Sequence, residues 1–330
     1  SIMKKNIAVI GCGHWGKNLV RNFSELGALV AVCDPNNELA QNYATQYEVR
    51  NLSFTEIIND NSIHGVVLAV PAPLHASMAI EAMTKGKHVY VEKPLALNKD
   101  EARNMINTSK EQGVQMMVGH LLQYHPVFTA VRDLAKSGNL GKLNYIYSNR
   151  LSFGKVRSDE DVLWRFAPPD ISMILSLAEE APVSLRAESS CILQSDIADS
   201  AILHMKFKSG VKAHVSVSWI NPYKEQKLVV IGDMAMVVFD DTQPWEQKLS
   251  LYRHNIDLTG KVPNLEKSEV EFVHVKQSEP LKNECQHFID VVNGDLLPLT
   301  DGEEGLRVLN VLSAATLSQK ENSIVNMECE

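Results

Sequence analysis

The stretch NIAVIGCGHWGKNLVRNFSELGALVAVCD, residues 6–34, decides how this chain is read. Ile7-Ala8-Val9-Ile10 is a short apolar run, β-rich enough for a buried strand. Gly11-Cys12-Gly13-His14-Trp15-Gly16 follows as a G-x-G-x-x-G turn. Leu19, Val20, Phe23 and Leu26 then recur at helical spacing, and Gly27 supplies a C-cap. A second strand, Leu29 to Cys33, ends at Asp34.

Each part has a physical task. Gly11 permits the sharp turn off the strand, and Gly13, with no Cβ, lets a pyrophosphate come close to the backbone. Gly16 lets the helix pack tightly on the strand. The helix N-terminus offers unpaired N–H groups and a partial positive charge to phosphates. His14 and Trp15 stand in the same turn and belong to the same candidate cofactor set. Asp34 lies 18 residues past Gly16, where an acid holds the ribose hydroxyls of an adenosine. Pro35-Asn36-Asn37 follow it, with no Arg or Lys to receive a 2′-phosphate, so the expected cofactor is NAD rather than NADP. A Gly-rich βα turn that binds nothing would leave the acid at the second strand end unexplained.

The chain has 330 residues, enough for two domains and a large core. Hydrophobic residues make up 45% and charged residues 22%, ordinary for a globular protein. A net charge of −8 argues against a general nucleic-acid or acidic-membrane surface, so an anionic substrate would need a local basic pocket. The five cysteines, at 12, 33, 191, 285 and 329, are odd in number and show no C-x-x-C spacing. A disulfide framework and a zinc site are therefore not expected, and a reducing compartment fits. No apolar run is long enough to span a membrane and no signal peptide is recognisable, so a cytoplasmic location is expected.

Beyond Asp34, strands alternate with helices over about 120 residues. Gly65 to Val70, His88 to Val91 and Gln115 to Val118 read as buried strands, with helices over Leu74 to Met83 and Lys99 to Gln112. This predicts a Rossmann-type doubly wound parallel sheet over residues 3–123. After Gly119 the style changes. Seven longer runs between Lys142 and Tyr252 read as strands of an open, mostly antiparallel sheet, giving an α+β domain over residues 124–330. Ile256 to Ser268 reads as a polar surface loop, and two helices near 281–292 and 303–319 close the chain. Val215, Val217 and Trp219 alternate with Ser216 and Ser218, which suggests an apolar sheet face in need of cover. A homodimer or homotetramer built through that face is the expectation.

From Gly65 to Pro94 the chain reads GVVLAVPAPLHASMAIEAMTKGKHVYVEKP. This resembles the Gfo/Idh/MocA oxidoreductases, whose members carry the Gly-rich turn, a strand ending near a Pro with a His a few residues on, and A-x-x-x-G-K-H-V-x-x-E-K-P. The resemblance implies that Lys93 is catalytic, beside the nicotinamide and the substrate hydroxyl, and that the bond before Pro94 is cis. The chemistry agrees: oxidising an alcohol needs a hydride acceptor and a group to remove the hydroxyl proton. Pro71, Glu92 and Lys93 are placed by the same likeness in the cofactor site. His75 either lines the cofactor or caps a helix. His120, at the end of the sixth strand, is placed to touch the nicotinamide ribose. Tyr124-His125-Pro126 resembles the family's crossover between domains. Tyr124 is a candidate for substrate, and His125 either faces substrate or packs.

A narrower likeness runs from Tyr145 to Glu180, YIYSNRLSFGKVRSDEDVLWRFAPPDISMILSLAEE, which looks like the nucleotide-sugar branch of the family. It implies a UDP-amino-sugar substrate oxidised at a ring hydroxyl, C3 by analogy, for surface polysaccharide or lipopolysaccharide. Arg150, Lys155, Arg157 and Arg165 place four cations within 16 residues, suited to a diphosphate unless Asp159, Glu160 and Asp161 neutralise them. Arg150, Arg157 and Asp170 are substrate candidates. Trp164 is either a lid over the nicotinamide or a core aromatic, and Arg165 is grouped with it on the cofactor side. Relatives read A-P-H-D-I-S where this chain has Ala167-Pro168-Pro169-Asp170-Ile171-Ser172. The family's histidine partner to the lysine is thus replaced by Pro169, which cannot exchange a proton. Lys93 remains, with His125 and Asp170 as the other catalytic candidates and no metal ligand set. A dehydrogenase of a free sugar or polyol such as inositol, and a non-catalytic NAD- and sugar-binding regulator, are the alternatives.

Overall fold

The computed structural model describes residues 4–327, so Cys329 and the Ser1-Ile2 pair lie outside the described residues. In the first unit β1 (Ile7–Ile10), α1 (Gly16–Glu25), β2 (Leu29–Cys33), α2 (Asn37–Tyr47), β3 (Arg50–Asn51), α3 (Phe54–Asn59), β4 (Gly65–Leu68), α4 (His75–Thr84), β5 (His88–Val91), α5 (Lys99–Gln112) and β6 (Met116–Val118) alternate along the chain. The six strands pair in parallel in the order β3-β2-β1-β4-β5-β6. The order reverses between β1 and β4, and ligands of such sheets bind outside that point. All four residues of β1 and of β4 are buried, as a sheet covered on both faces requires.

The second unit opens with α6 (Pro126–Lys136), β7 (Leu143–Phe153), α7 (Val162–Phe166) and α8 (Pro168–Ala178). Its strands continue with β8 (Ser184–Ser190), β9 (Ser200–Lys206), β10 (Lys212–Ser218), β11 (Ile220–Gly232), β12 (Met236–Asp240) and β13 (Leu249–Tyr252). A hairpin, β14 (Asn255–Asp257) and β15 (Asn264–Glu266), and a short β16 (Glu271–Phe272) follow. Helices α9 (Pro280–Val292) and α10 (Gly302–Glu321) and a short β17 (Val325–Asn326) end the described chain. The nine-stranded sheet runs β16-β13-β12-β11-β7-β10-β9-β8-β17. It is antiparallel except where β7 and β10 pair in parallel.

Three features depart from the sequence expectation. Residues 278–309, which the sequence reading gave to the second domain, group with residues 1–124, while 125–277 and 310–330 form the other unit. The cause is apolar: Phe288 of α9 meets Phe23 of α1 edge-on at 6.2 Å and Tyr90 of β5 at 5.5 Å. Ile256 to Ser268 contains the β14–β15 hairpin rather than irregular loop. Val215, Val217 and Trp219 are 0% exposed, and Phe166 of α7 packs edge-on against Trp219. Helices of the same unit therefore cover the face that was expected to need a second subunit. The opposite face of the sheet presents Tyr147 stacked on His214 at 4.9 Å, with His204 next to them.

Candidate active site

The first unit builds a phosphate cradle from close contacts. Gly11 has φ +96°, and a Cβ there would come within 2.1 Å of the Ala69 carbonyl oxygen. A Cβ on Gly16 would stand 1.9 Å from the Gly11 carbonyl oxygen. These two glycines draw α1 against β1 and the end of β4. Gly13 is different: nothing lies within 4 Å of its Cβ position, so its backbone is open to a ligand. His14 and Trp15 are exposed beside it. The first turn of α1 has no side-chain cap; its Lys17 and Asn18 N–H groups donate to the Gly13 and Trp15 carbonyls, so an anion would meet the start of the helix at the Gly13 turn.

Asp34 completes the cradle. Its Oδ2 accepts the Cys12 N–H and its Oδ1 the Asn36 N–H, both at 2.8 Å. A carboxylate has about four acceptor positions, so two backbone bonds orient it and leave capacity for ribose hydroxyls. The buried Cys12 thiol, deprived of water and next to the Asp34 charge, is pushed up to about 12 and is chemically inert. These residues fit a dinucleotide: an open glycine, an uncapped helix start and an oriented acid.

Lys93 follows the carboxyl end of β5, between Glu92 and Pro94, and the Lys93–Pro94 bond is cis. His75 is 1% exposed and bridges two carbonyls, with Nδ1 2.7 Å from Pro94 O and Nε2 2.8 Å from Val70 O. A neutral imidazole has one N–H, so it donates to one of these carbonyls and packs against the other, between the end of β4 and the loop that carries Lys93. Pro71 is exposed at the start of the turn that leads to His75. His120 is buried, with Nδ1 2.5 Å from Glu304 Oε2 at the start of α10. Tyr124 is also buried, and its hydroxyl meets Thr300 Oγ1 at 2.7 Å. That bond engages Tyr124 within the first unit and removes the reason to give it to substrate.

The second unit gathers a polar cluster of its own. Asp170 is 1% exposed and sits in the first turn of α8, not at its cap, because Pro168 and Pro169 occupy the start. Arg150 Nε donates to Asp170 Oδ2 at 2.8 Å, Arg150 Nη2 reaches Oδ1 at 3.3 Å, and the Ser148 hydroxyl donates to the same carboxylate. Burial opposes the Arg150 charge, but Asp170 outweighs it and raises its proton affinity. The two substrate candidates are thus each other's partner.

His125 has both ring nitrogens engaged. Nδ1 accepts the Val127 N–H at 3.1 Å as the cap of α6, and Nε2 faces Asp241 Oδ1 at 3.2 Å. Because Nδ1 accepts, Nε2 carries the proton and donates it. The ring stacks on Trp245 and meets Phe239, so no lone pair is left for a substrate proton. This argues against the catalytic stand-in expected from sequence. Lys248 Nζ, 3.0 Å from Asp241 Oδ1, completes the cluster. Arg157 forms an exposed pair with Asp159, and Arg165 lies 4.0 Å from Glu160. The Trp164 indole N–H donates to Thr316 Oγ1 at 2.8 Å in the same unit. Asp241, Trp245 and Lys248 were not singled out in the sequence, where Lys248 read only as the start of a strand. Among the described residues no group of three His, Cys, Asp or Glu is arranged to hold a metal ion.

A parallel sheet in this order, a glycine turn at its crossover and an acid on the second strand define an NAD-binding α/β dehydrogenase. Residues 5–120 match the oxidoreductase family model with the NAD-binding Rossmann fold, and residues 128–238 match the Gfo/Idh/MocA C-terminal domain. The chain belongs to the Gfo/Idh/MocA oxidoreductase family, and its cofactor is NAD. It is similar to a UDP-N-acetylglucosamine 3-dehydrogenase of Acidithiobacillus ferrooxidans, 27% identical over 91% of this chain and 93% of that one. It is also similar to a scyllo-inositol 2-dehydrogenase (NAD(+)) of Bacillus subtilis, 26% identical over 97% and 96% of the two chains. A solved structure of UDP-N-acetylglucosamine 3-dehydrogenase from Acidithiobacillus ferrooxidans superposes with a TM-score of 0.85 at 24% identity, covering 97% of this chain and 99% of that one. No described helix is long and apolar enough to cross a membrane.

Asp34→Ala should weaken NAD binding far more than NADP binding, because the carboxylate both holds the 2′-hydroxyl and repels a 2′-phosphate. Fluorescence titration with the two cofactors checks this, and equal or tighter NADP binding by the unmodified protein would contradict it. Burial lowers the His75 proton affinity, so its neutral form belongs to the fold. The stability it confers should be full above the unfolded value of about 6.5 and lost as pH falls through the lower folded value. The stability advantage over His75→Gln, from urea unfolding at a series of pH values, should therefore shrink on acidification. An advantage that grows instead would mean the two carbonyls hold an imidazolium.

Proposed function

We propose that the chain is an NAD-dependent dehydrogenase of a UDP-N-acetyl amino sugar, oxidising a ring hydroxyl at C3 to a ketone in the making of surface polysaccharide or lipopolysaccharide. One observation carries the reading. Lys93 stands at the carboxyl end of β5, two strands from the glycine turn, in a chain that matches a UDP-N-acetylglucosamine 3-dehydrogenase over 91% of its length. Bound NAD supplies the hydride acceptor. Lys93 holds the substrate oxygen with its ammonium hydrogens and, in its neutral form, takes the hydroxyl proton. His75 keeps the lysine loop fixed to β4, so the Lys93 backbone does not drift relative to the glycine turn. The ketone is a product of the chemistry that an aminotransferase consumes.

Pro169 removes the usual acid–base partner, and His125 has no free nitrogen to replace it. Lys93 then handles the proton alone. General acid–base groups contribute about 10²–10⁴-fold, so this enzyme is slow for its class. A second reading is favoured by a specific observation. Arg150 and Arg157, two of the candidate phosphate cations, are paired with Asp170 and Asp159. A free polyol needs no such cations, and relatives acting on inositol match this chain over 97% and 98% of its length. Assembly into a homodimer or homotetramer, through the sheet face that carries Tyr147, His204 and His214, and a cytoplasmic location belong to the same proposal.

A panel of UDP-sugars and free polyols, followed by nicotinamide absorbance, separates the two readings. Turnover of UDP-N-acetylglucosamine is expected, and turnover of inositol with no nucleotide sugar accepted reverses the order. Lys93→Met should abolish most turnover without changing NAD affinity, while Pro169→His should raise kcat. A fall in kcat for Pro169→His would show that the site is organised without that histidine. Sedimentation should give a dimer or tetramer at micromolar concentration, and monomer alone would remove the assembly from the proposal.

A further inference from the structure

Beneath Lys93 lies a group of buried acids that the proposed chemistry does not use. Glu284 of α9 is 1% exposed, and Tyr90 of β5 is 0% exposed. The Tyr90 hydroxyl is hydrogen-bonded to Glu284 Oε1. Glu284 Oε2 is buried with no hydrogen-bond partner. Two residues along β5 from Tyr90, the Glu92 carboxyl faces the same hydroxyl, with the Trp15 indole and the Lys93 charge near it. Glu92 Oε1 is likewise buried and without a hydrogen-bond partner. Gly119 packs against this carboxyl so closely that a Cβ would stand 2.8 Å from Glu92 Oε2.

One phenol proton cannot satisfy two carboxylates. An ionised carboxyl accepts only, and a tyrosine hydroxyl donates once. Two buried like charges on either side of one hydroxyl, each with an unpartnered oxygen, would be strongly destabilised. At least one of the two acids keeps its proton. The surroundings decide which. Burial raises Glu92 above the ordinary carboxylate range, but three groups oppose this and favour its ionised form: the Trp15 indole, the Tyr90 hydroxyl and Lys93. Glu284 has Tyr90 alone. The other titratable groups around α9 do not change this balance. Arg21 of α1 acts on Cys285, Tyr124 faces Glu284 as a neutral phenol, His287 is kept neutral by burial, and Glu304 adds only further negative charge.

We propose that Glu284 is held as a neutral acid and donates through Tyr90 to Glu92, fixing a single buried negative charge at Glu92 beside Lys93. Glu284 is then a positioning residue. It keeps the Glu92 charge in place, and that charge favours the cationic oxidised nicotinamide ring over the neutral reduced one. Burial, then the Glu92 charge, raises Glu284 well above the usual carboxylate range, which accords with this assignment. The inference rests on Lys93 marking the nicotinamide end of the site, but not on the identity of the sugar.

The test compares two isosteric variants, Glu284→Gln and Glu92→Gln, with the unmodified protein at neutral pH, and needs no substrate. Infrared spectroscopy should show the C=O stretch of a protonated buried carboxyl, lost in Glu284→Gln and kept in Glu92→Gln. Calorimetric titration should give an oxidised-over-reduced NAD affinity ratio that falls about tenfold in Glu92→Gln, as expected for one lost charge. Glu284→Gln should leave that ratio unchanged, because an amide also donates to Tyr90. Raising the pH until Glu284 ionises should increase the ratio in the unmodified protein but not in Glu284→Gln. Loss of the infrared band in Glu92→Gln instead, its absence from the unmodified protein, or a fall in the ratio for Glu284→Gln would overturn the assignment. Failure of every sugar to turn over would count against the proposed function and leave these readouts untouched.

Discussion

The architecture depends on a contact that no side chain could occupy. Gly16 meets the Gly11 carbonyl, and Gly11 meets the Ala69 carbonyl, at distances that exclude any Cβ. Together they bring the start of α1 against the crossover of the sheet between β1 and β4. That approach brings the start of the helix and the open Gly13 backbone together at the crossover. Asp34 is then oriented by the Cys12 and Asn36 amides rather than by chance. The adenosine-binding end of the site is backbone geometry with one carboxylate added.

The buried polar groups of each unit are built differently, and are mostly satisfied by one another within that unit. His75 joins Val70 to Pro94, Arg150 joins Asp170, and His125 joins Asp241 to the start of α6. Such pairs cost several kcal/mol when one partner is removed, because the other is left buried and alone. They hold loops in place more than they offer chemistry. Lys93 is the residue whose position and type both suit a role in the reaction. Pro169, at the second position of α8, stiffens the helix start and offers no exchangeable proton.

Local signals made the first unit legible. Its strands are short apolar runs, its turns carry glycine, and its functional residues fall at strand ends, all within a window of a few residues. Asp34 was readable for that reason, whereas Lys93 was singled out by the family resemblance. Long-range pairing was not. Phe288 is 198 residues from Tyr90 and 265 from Phe23 in the chain, so nothing near it announced that α9 returns to the first unit. Glu284 was invisible for the same reason. The alternation of Val215, Val217 and Trp219 correctly showed an apolar face, but alternation does not say what covers it. The sequence left open whether Asp159, Glu160 and Asp161 neutralise the arginines after residue 149; Arg157 does pair with Asp159, two residues on, but the partner of Arg150 is Asp170, 20 residues on.

The central claim is that this site moves a hydride from a ring carbon of a sugar to NAD. Incubating the protein with NAD and UDP-N-acetylglucosamine deuterated at C3, then weighing the nicotinamide by mass spectrometry, tests it most directly. The account predicts reduced cofactor that carries the deuterium. Reduced cofactor without the label, or label retained in the sugar after prolonged incubation at high protein concentration, would contradict it.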